Sequence, residues 1–205
     1  MKKMTKMFLF LFPLVIGMLI SAPCLANTTK EVFQRYPHDI FIESGSYEGD
    51  GIAKALEAGY KEVYSIELSQ PHYQHCCKRF EGNPNVHLYE GDSAVVLKTI
   101  LAKIDKPATF WLDGHYSWYA NARGDTNTPL LKELEAIASH PIKTHTILIN
   151  DVREFGTVRF DFLEISDAIL AIKKINPNYE ITYDDGVIAK DILVASIPTK
   201  KIKTK

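Results

Sequence analysis

From residue 39 onward, short apolar runs alternate with helix-length amphipathic patterns, and most runs are followed by an acidic residue. Few architectures accept that alternation. A strand, a covering helix and a return to the sheet make the parallel crossover unit of α/β proteins. The runs at 40–42, 62–66, 86–89, 109–112, 146–149, 179–183 and 192–195 read as seven strands. Helical patterns fall at 51–58, 69–80, 93–104, from 128 onward, and at 162–175. Gly59 is a natural C-terminal stop for the first of these. Ser69 followed by Pro71 opens the second as a cap with proline in the first turn. Only residues 184–191 separate the last two runs. That is too short for a helical crossover, so they pair antiparallel. The expected fold is α/β: a Rossmann-like, doubly wound, mostly parallel seven-stranded sheet ending in an antiparallel hairpin.

The length of 205 residues suits one domain with a full core, and 46% apolar against 24% charged residues excludes general disorder. The net charge of -1 hides an asymmetry. Lys2, Lys3 and Lys6 precede an apolar run at 8–20, and small residues lead to Ala26. This order reads as a secretory signal peptide over 1–26. The expected location is therefore periplasmic or secreted. An uncleaved membrane anchor, or a cytoplasmic protein with a misplaced start, is the alternative. The other 179 residues hold all 25 acidic residues and 21 of the 24 basic ones, a net charge of -4. Such a domain is not expected to bind nucleic acid, and contact with a membrane is expected only through the signal segment. Residues 27–38 read as a lead-in, 39–197 as the domain, and 198–205 as a basic disordered tail. Export would leave the adjacent pair Cys76-Cys77, which cannot form an unstrained disulfide. It reads as two helix residues, at least one of them packed.

In open α/β sheets, ligands bind beyond the carboxyl ends of the strands. The first strand runs into Glu43-Ser-Gly45-Ser46-Tyr-Glu-Gly49-Asp-Gly51, where glycines permit a tight turn and close approach of a ligand. Glu67 ends the second strand and can accept hydrogen bonds from a ribose diol. Gly91-Asp92-Ser93 follows the third, Asp113-Gly-His115-Tyr116 the fourth, and Asn150-Asp151 the fifth. The G-x-x-x-G-x-G spacing departs from the dinucleotide fingerprint. An acid ahead of the first glycine would also repel a pyrophosphate, whereas a cationic sulfonium tolerates it. This disfavours an NAD-dependent oxidoreductase and favours S-adenosylmethionine (SAM).

Glu43 to Gly51, Glu67, Gly91-Asp92 and Asp113 together resemble the strand-end motifs of class I SAM-dependent methyltransferases. The resemblance spans about 39–197. Within that superfamily the chain is similar to small bacterial proteins with E-[ST]-G-[ST]-Y-x-G-D-G and L-D-G-H-Y-S motifs, found here at 43–51 and 112–117. The resemblance implies that Glu43, Gly45, Ser46 and Gly49 line the methionine part of SAM. It implies that Glu67, with Leu68 beside it, holds the ribose, and that Asp92 and Ser93 face the adenine. Asp113 would close the cofactor site. Relatives often continue the second motif with two glycines, but here Trp118 and Tyr119 follow Ser117. That makes the 117–127 loop bulkier, a lid over a polar acceptor such as a sugar.

The expected function is O-methylation of a small-molecule or glycan hydroxyl. Its alternative is an exported, non-catalytic binding module that keeps the fold. His115 is the expected general base because imidazole titrates near neutral pH, with Asp113 orienting it and Tyr116 positioning the acceptor. Asp113, Asp151 and Asn150 offer oxygen ligands that suit Mg²⁺, a second route that the sequence does not favour.

Overall fold

The computed structural model describes residues 30–118 and 121–198. The signal segment and nearly all of the basic tail lie outside the described residues, as do Tyr119 and Ala120. Seven strands form one sheet: β1 (Ile40–Ser44), β2 (Glu62–Glu67), β3 (Val86–Glu90), β4 (Ala108–Leu112), β5 (Thr146–Ile149), β6 (Glu180–Asp184) and β7 (Ile192–Ser196). Their spatial order is β3-β2-β1-β4-β5-β7-β6. The first five strands are parallel, and β7 inserts antiparallel between β5 and β6. The fold is the one the alternation of patterns predicts.

Side chains alternate across each strand, so the sheet has two apolar faces. On one face Phe41, Val63, Trp111, Leu148 and Val194 pack with Val32 and Phe33 of α1 (Lys30–Arg35), Ile52 and Ala55 of α2 (Asp50–Ala58) and Cys76 of α3 (Gln70–Arg79). On the other, Ile42, Ile66, Phe110, Ile147 and Leu193 pack with α4 (Ser93–Leu101), α5 (Leu130–Ser139) and α6 (Ile165–Ile175). Strands β1, β4 and β5 are buried on both faces and are mostly apolar.

Some boundaries differ from the sequence reading. The α4 helix ends at Leu101 and buries Leu97, Ile100 and Leu101 rather than a stripe carried on to Ile104. The α6 helix starts at Ile165, not 162, where Glu164 and Asp167 form a reciprocal capping box. Phe162 lies before the helix, exposed, with φ 58°. Two short 3-10 turns, Val152–Glu154 and Val158–Phe160, fill the link between β5 and α6. Local apolar spacing does not encode them, because their geometry is set by contacts with the neighbouring loops.

Candidate functional site

Strand pairing continues one residue past the tips of the central strands. Gly45 N–H donates to Ile66 O at 2.9 Å, Asp113 N–H to Ser44 O at 3.2 Å, and Asn150 N–H to Leu112 O at 3.1 Å. The backbone is thereby fixed where the chain leaves the sheet. A cleft of about 800 Å³ lies over these tips. Glu43, Gly45, Ser46, Glu67, Leu68, Asp92, Ser93, Asp113, His115 and Tyr116 all line it, as does Asp151. Gly49 does not line it and instead forms the turn, at φ 83°, that starts α2. Asn150 is buried at the tip of β5 and is likewise absent from the lining.

On the first side of the cleft, tight glycine turns bring the backbone close. A Cβ on Gly45 would sit 2.5 Å from the Asp113 carbonyl oxygen, and the residue has φ +84°. A Cβ on Gly51 would overlap the Glu43 carboxyl at 1.7 Å. Both positions exclude any side chain.

Glu43 is 2% exposed. Its Oε2 accepts from Ser65 Oγ at 2.6 Å, and Ser65 Oγ lies 2.6 Å from Ser46 Oγ. Burial pushes the Glu43 carboxyl up to about 8, the Ser65 hydrogen bond opposes this, and nearby Asp113, Glu67 and Asp50 reinforce it.

Glu67 is also buried, and its two oxygens accept from Tyr47 N–H at 2.8 Å and Ser69 N–H at 2.7 Å. It therefore shapes the glycine loop as well as facing the cleft, with lone pairs left for hydroxyl donors. Asp92 caps α4 by accepting from Ala94 N–H at 2.9 Å through Oδ1. Its Oδ2 and Leu68 lie beneath Gly124, so the chain at 121–127 folds back over this part of the cleft.

The other side is a charged chain. His115 Nδ1 lies 3.5 Å from Asp113 Oδ1, and Nε2 lies 3.2 Å from Asp151 Oδ2. Arg153 reaches Asp151 Oδ1 at 2.9 Å and also pairs with buried Asp191, from the link between β6 and β7. Burial works against the charged ring of His115, but Asp151, Asp113 and Glu154 outweigh it and raise its pKa. Burial pushes Asp113 up to about 7, with Asp151 adding to the rise and His115 opposing it. Burial also acts to raise Asp151, yet His115 and Arg153 hold it below the usual carboxylate range.

Asp113, His115 and Asp151 bring ligand atoms within 4.8 Å of one another. They do not fit the Mg²⁺ site of the sequence reading. The imidazole stands between the two carboxylates that would share the ion, and the Arg153 guanidinium already neutralises Asp151. Asn150, the third ligand of that reading, lies buried beside Asp113.

The loop after β4 is held from within. Asn121 Nδ2 donates to His115 O at 2.8 Å, and its Oδ1 accepts from Ser117 N–H at 2.9 Å. Tyr116 N–H donates to Asn127 O at 2.6 Å. Trp118 lines the cleft, is 43% exposed and has φ 66°. Arg123 is exposed and does not line it, whereas Arg159 does. Ser65, Asn121, Arg153, Arg159 and Asp191 carry no motif signal, and sequence reasoning missed them. So was Glu133, a buried acid on α5 that shares a small cavity with His115.

A mostly parallel sheet of this order, with an antiparallel final hairpin and a cleft across its carboxyl ends, defines the class I SAM-dependent methyltransferase fold. Solved structures agree. An O-methyltransferase from Bacillus cereus in complex with S-adenosylhomocysteine (SAH) is similar at 15% identity, with 82% of this chain and 78% of that chain covered and a TM-score of 0.58. A protein from Clostridium thermocellum, provisionally described as an rRNA methylase, is 14% identical over 81% and 92% of the two chains, with a TM-score of 0.55. One from Staphylococcus aureus, provisionally described as a caffeoyl-CoA O-methyltransferase, is 12% identical over 82% and 80%, with a TM-score of 0.53. No family model and no curated protein matches the sequence.

Proposed function

We propose that this protein is a SAM-dependent O-methyltransferase acting on a hydroxyl of a small molecule, including sugars. One observation carries the reading: a single cleft joins Glu43, Glu67 and Asp92 to the Asp113–His115–Asp151 chain. The first group suits a cationic nucleoside and the second suits the handling of a proton. SAM supplies an electrophilic methyl group on a sulfonium, and transfer is an in-line displacement that depends on positioning and water exclusion. Glu67 holds the ribose, Asp92 and Ser93 face the adenine, and Glu43 with the Gly45–Ser46 turn lines the methionine part.

Methylating a hydroxyl also requires removal of its proton. Both ring nitrogens of His115 face carboxylates, so the ring is held as a cation and has no free lone pair to offer. Asp113 lies at the cleft end of the chain, and burial pushes it up to about 7. It accepts the hydroxyl proton, while His115 and Asp151 stabilise the charges around it. Tyr116, Trp118 and Arg159 bound the acceptor side, where an aromatic surface beside polar groups suits a sugar ring. From the order of Lys2, Lys3 and Lys6, the apolar run at 8–20 and the small residues before Ala26, we propose separately that the protein is exported and cleaved behind Ala26, which N-terminal sequencing of native protein tests.

Calorimetric titration of the folded protein with SAM and SAH tests the central claim. Saturable binding that Glu67→Ala abolishes is expected. Absence of heat with both ligands would overturn it.

A further inference from the structure

Glu43 stands apart from the other acids of the cleft. Glu67 accepts two backbone amides, Asp92 caps a helix, and Asp113 and Asp151 share an imidazole. Glu43 has one donor, Ser65 Oγ, and no cation pairs with it among the described residues. Because Ser65 gives its proton to Glu43, it accepts in turn from Ser46, and the row runs Ser46 to Ser65 to Glu43. The groups facing Glu43 are acidic or neutral on every side. They are Glu67 on β2, Asp113 after β4, Asp50 at the start of α2 and the Cys76 thiol on α3. Arg79 is spent on Asp50 and on the Glu48 carbonyl. Gly51 packs against the carboxyl from behind, so it cannot swing away into α2. An ionised carboxylate in this position lacks a countercharge until a ligand supplies one.

Resting on the SAM reading above, we propose that Glu43 exchanges its proton for the cofactor's positive charge. It is a neutral acid in the empty cleft, its O–H bond breaks as the sulfonium docks, and the proton leaves to solvent. The consequence is selectivity between cofactor and product. SAM and SAH share the adenosine, the amine and the carboxylate, and differ in the charge on sulfur. Only SAM repays ionisation of Glu43, so SAH leaves it protonated and is held less tightly. Methyl transfer then removes the countercharge from Glu43 and favours product release. Burial that pushes Glu43 up to about 8 agrees with this reading.

Isothermal titration calorimetry of the whole protein in two buffers of different ionisation enthalpy counts the protons released. Near pH 7, SAM should release about one proton more than SAH, since a group with a pKa near 8 is mostly protonated there. The shared amine cancels in that difference. SAM affinity should weaken by about tenfold more than SAH affinity between pH 8 and pH 6.5, because each pH unit below the pKa costs up to tenfold. Glu43→Gln should abolish both differences between SAM and SAH. The wild-type comparison alone decides the matter if that variant fails to fold. Equal proton counts for the two ligands would overturn the proposal and leave the SAM reading intact. No binding of either ligand would overturn both.

Discussion

His115 Nε2 lies 3.2 Å from Asp151 Oδ2, which places a buried imidazole against a buried carboxylate. Its opposite nitrogen faces Asp113, and Asp151 is itself held by Arg153. The order of charges is therefore acid, imidazole, acid, guanidinium. An imidazole in that position stays protonated above its ordinary pH range, and any stability it lends is present below about pH 6.5 and fades as pH rises through the raised value. Asp151→Asn removes the partner at Nε2. It should lower the His115 pKa by at least ~1 unit, since one unit corresponds to about 1.4 kcal/mol of interaction. NMR titration of the imidazole carbons reads this directly, and an unchanged pKa would show that Asp151 does not hold the ring charged.

Arg153 joins two carboxylates that are both nearly inaccessible, Asp151 and Asp191. Arg153→Leu removes the guanidinium from both, and breaking a buried ion pair typically costs about 3–5 kcal/mol. The urea midpoint should fall accordingly. Adding Asp191→Asn should recover part of the loss, because one buried charge is removed with its partner. A double mutant no more stable than Arg153→Leu would place the damage elsewhere.

Gly45 carries two separate constraints. Its φ is +84°, and an added Cβ would press on the Asp113 carbonyl at 2.5 Å. Gly45→Ala should cost about 1–3 kcal/mol from backbone strain and should weaken SAM binding by moving the turn or the β4 tip. Gly59→Ala is the control. Its φ is also positive, at +101°, but no atom lies within 4 Å of the added Cβ. Comparing the melting temperatures of the two variants separates the contact from the dihedral.

At the far end of the sheet two buried histidines fix one another's tautomers. Ala108 N–H donates to His145 Nδ1 at 3.1 Å. Nε2 of His145 therefore carries the proton and donates to His140 Nδ1 at 3.0 Å. His140 Nε2–H then faces Ile104 O at 3.3 Å. Burial first, then the neighbouring His140, His38 and Lys143, lower His145 to about 4. A histidine depressed in this way stabilises the fold above about pH 6.5, and that stability is lost as pH falls toward 4. The loss reaches up to about 3 kcal/mol. His145→Gln should flatten the urea midpoint between pH 6.5 and 4.5. An equally steep decline in the variant would assign the acid sensitivity to other groups.

The acids of the glycine-rich turn and of the next strand tips were legible because strand-end position follows from the alternation of patterns. Of the pair Cys76-Cys77, read as two helix residues with at least one packed, Cys76 is the one buried in α3. The histidines at 140 and 145 belong to no motif and are core members, because their mutual hydrogen bond and their backbone partners satisfy both rings. Arg153 and Asp191 were invisible for a related reason. They are 38 residues apart and meet only because β7 inserts beside β5.

The sequence by itself determined the sheet, the antiparallel hairpin and the row of acids at the strand tips. These depend on periodicity and on residues close in the chain. Tertiary structure alone decided what each acid does. Glu43 and Glu67 have the same side chain at neighbouring tips, yet one has a single hydroxyl donor and the other two backbone amides. Burial and hydrogen-bond partners set the charge state of a carboxyl, and both are properties of the packed molecule rather than of local sequence.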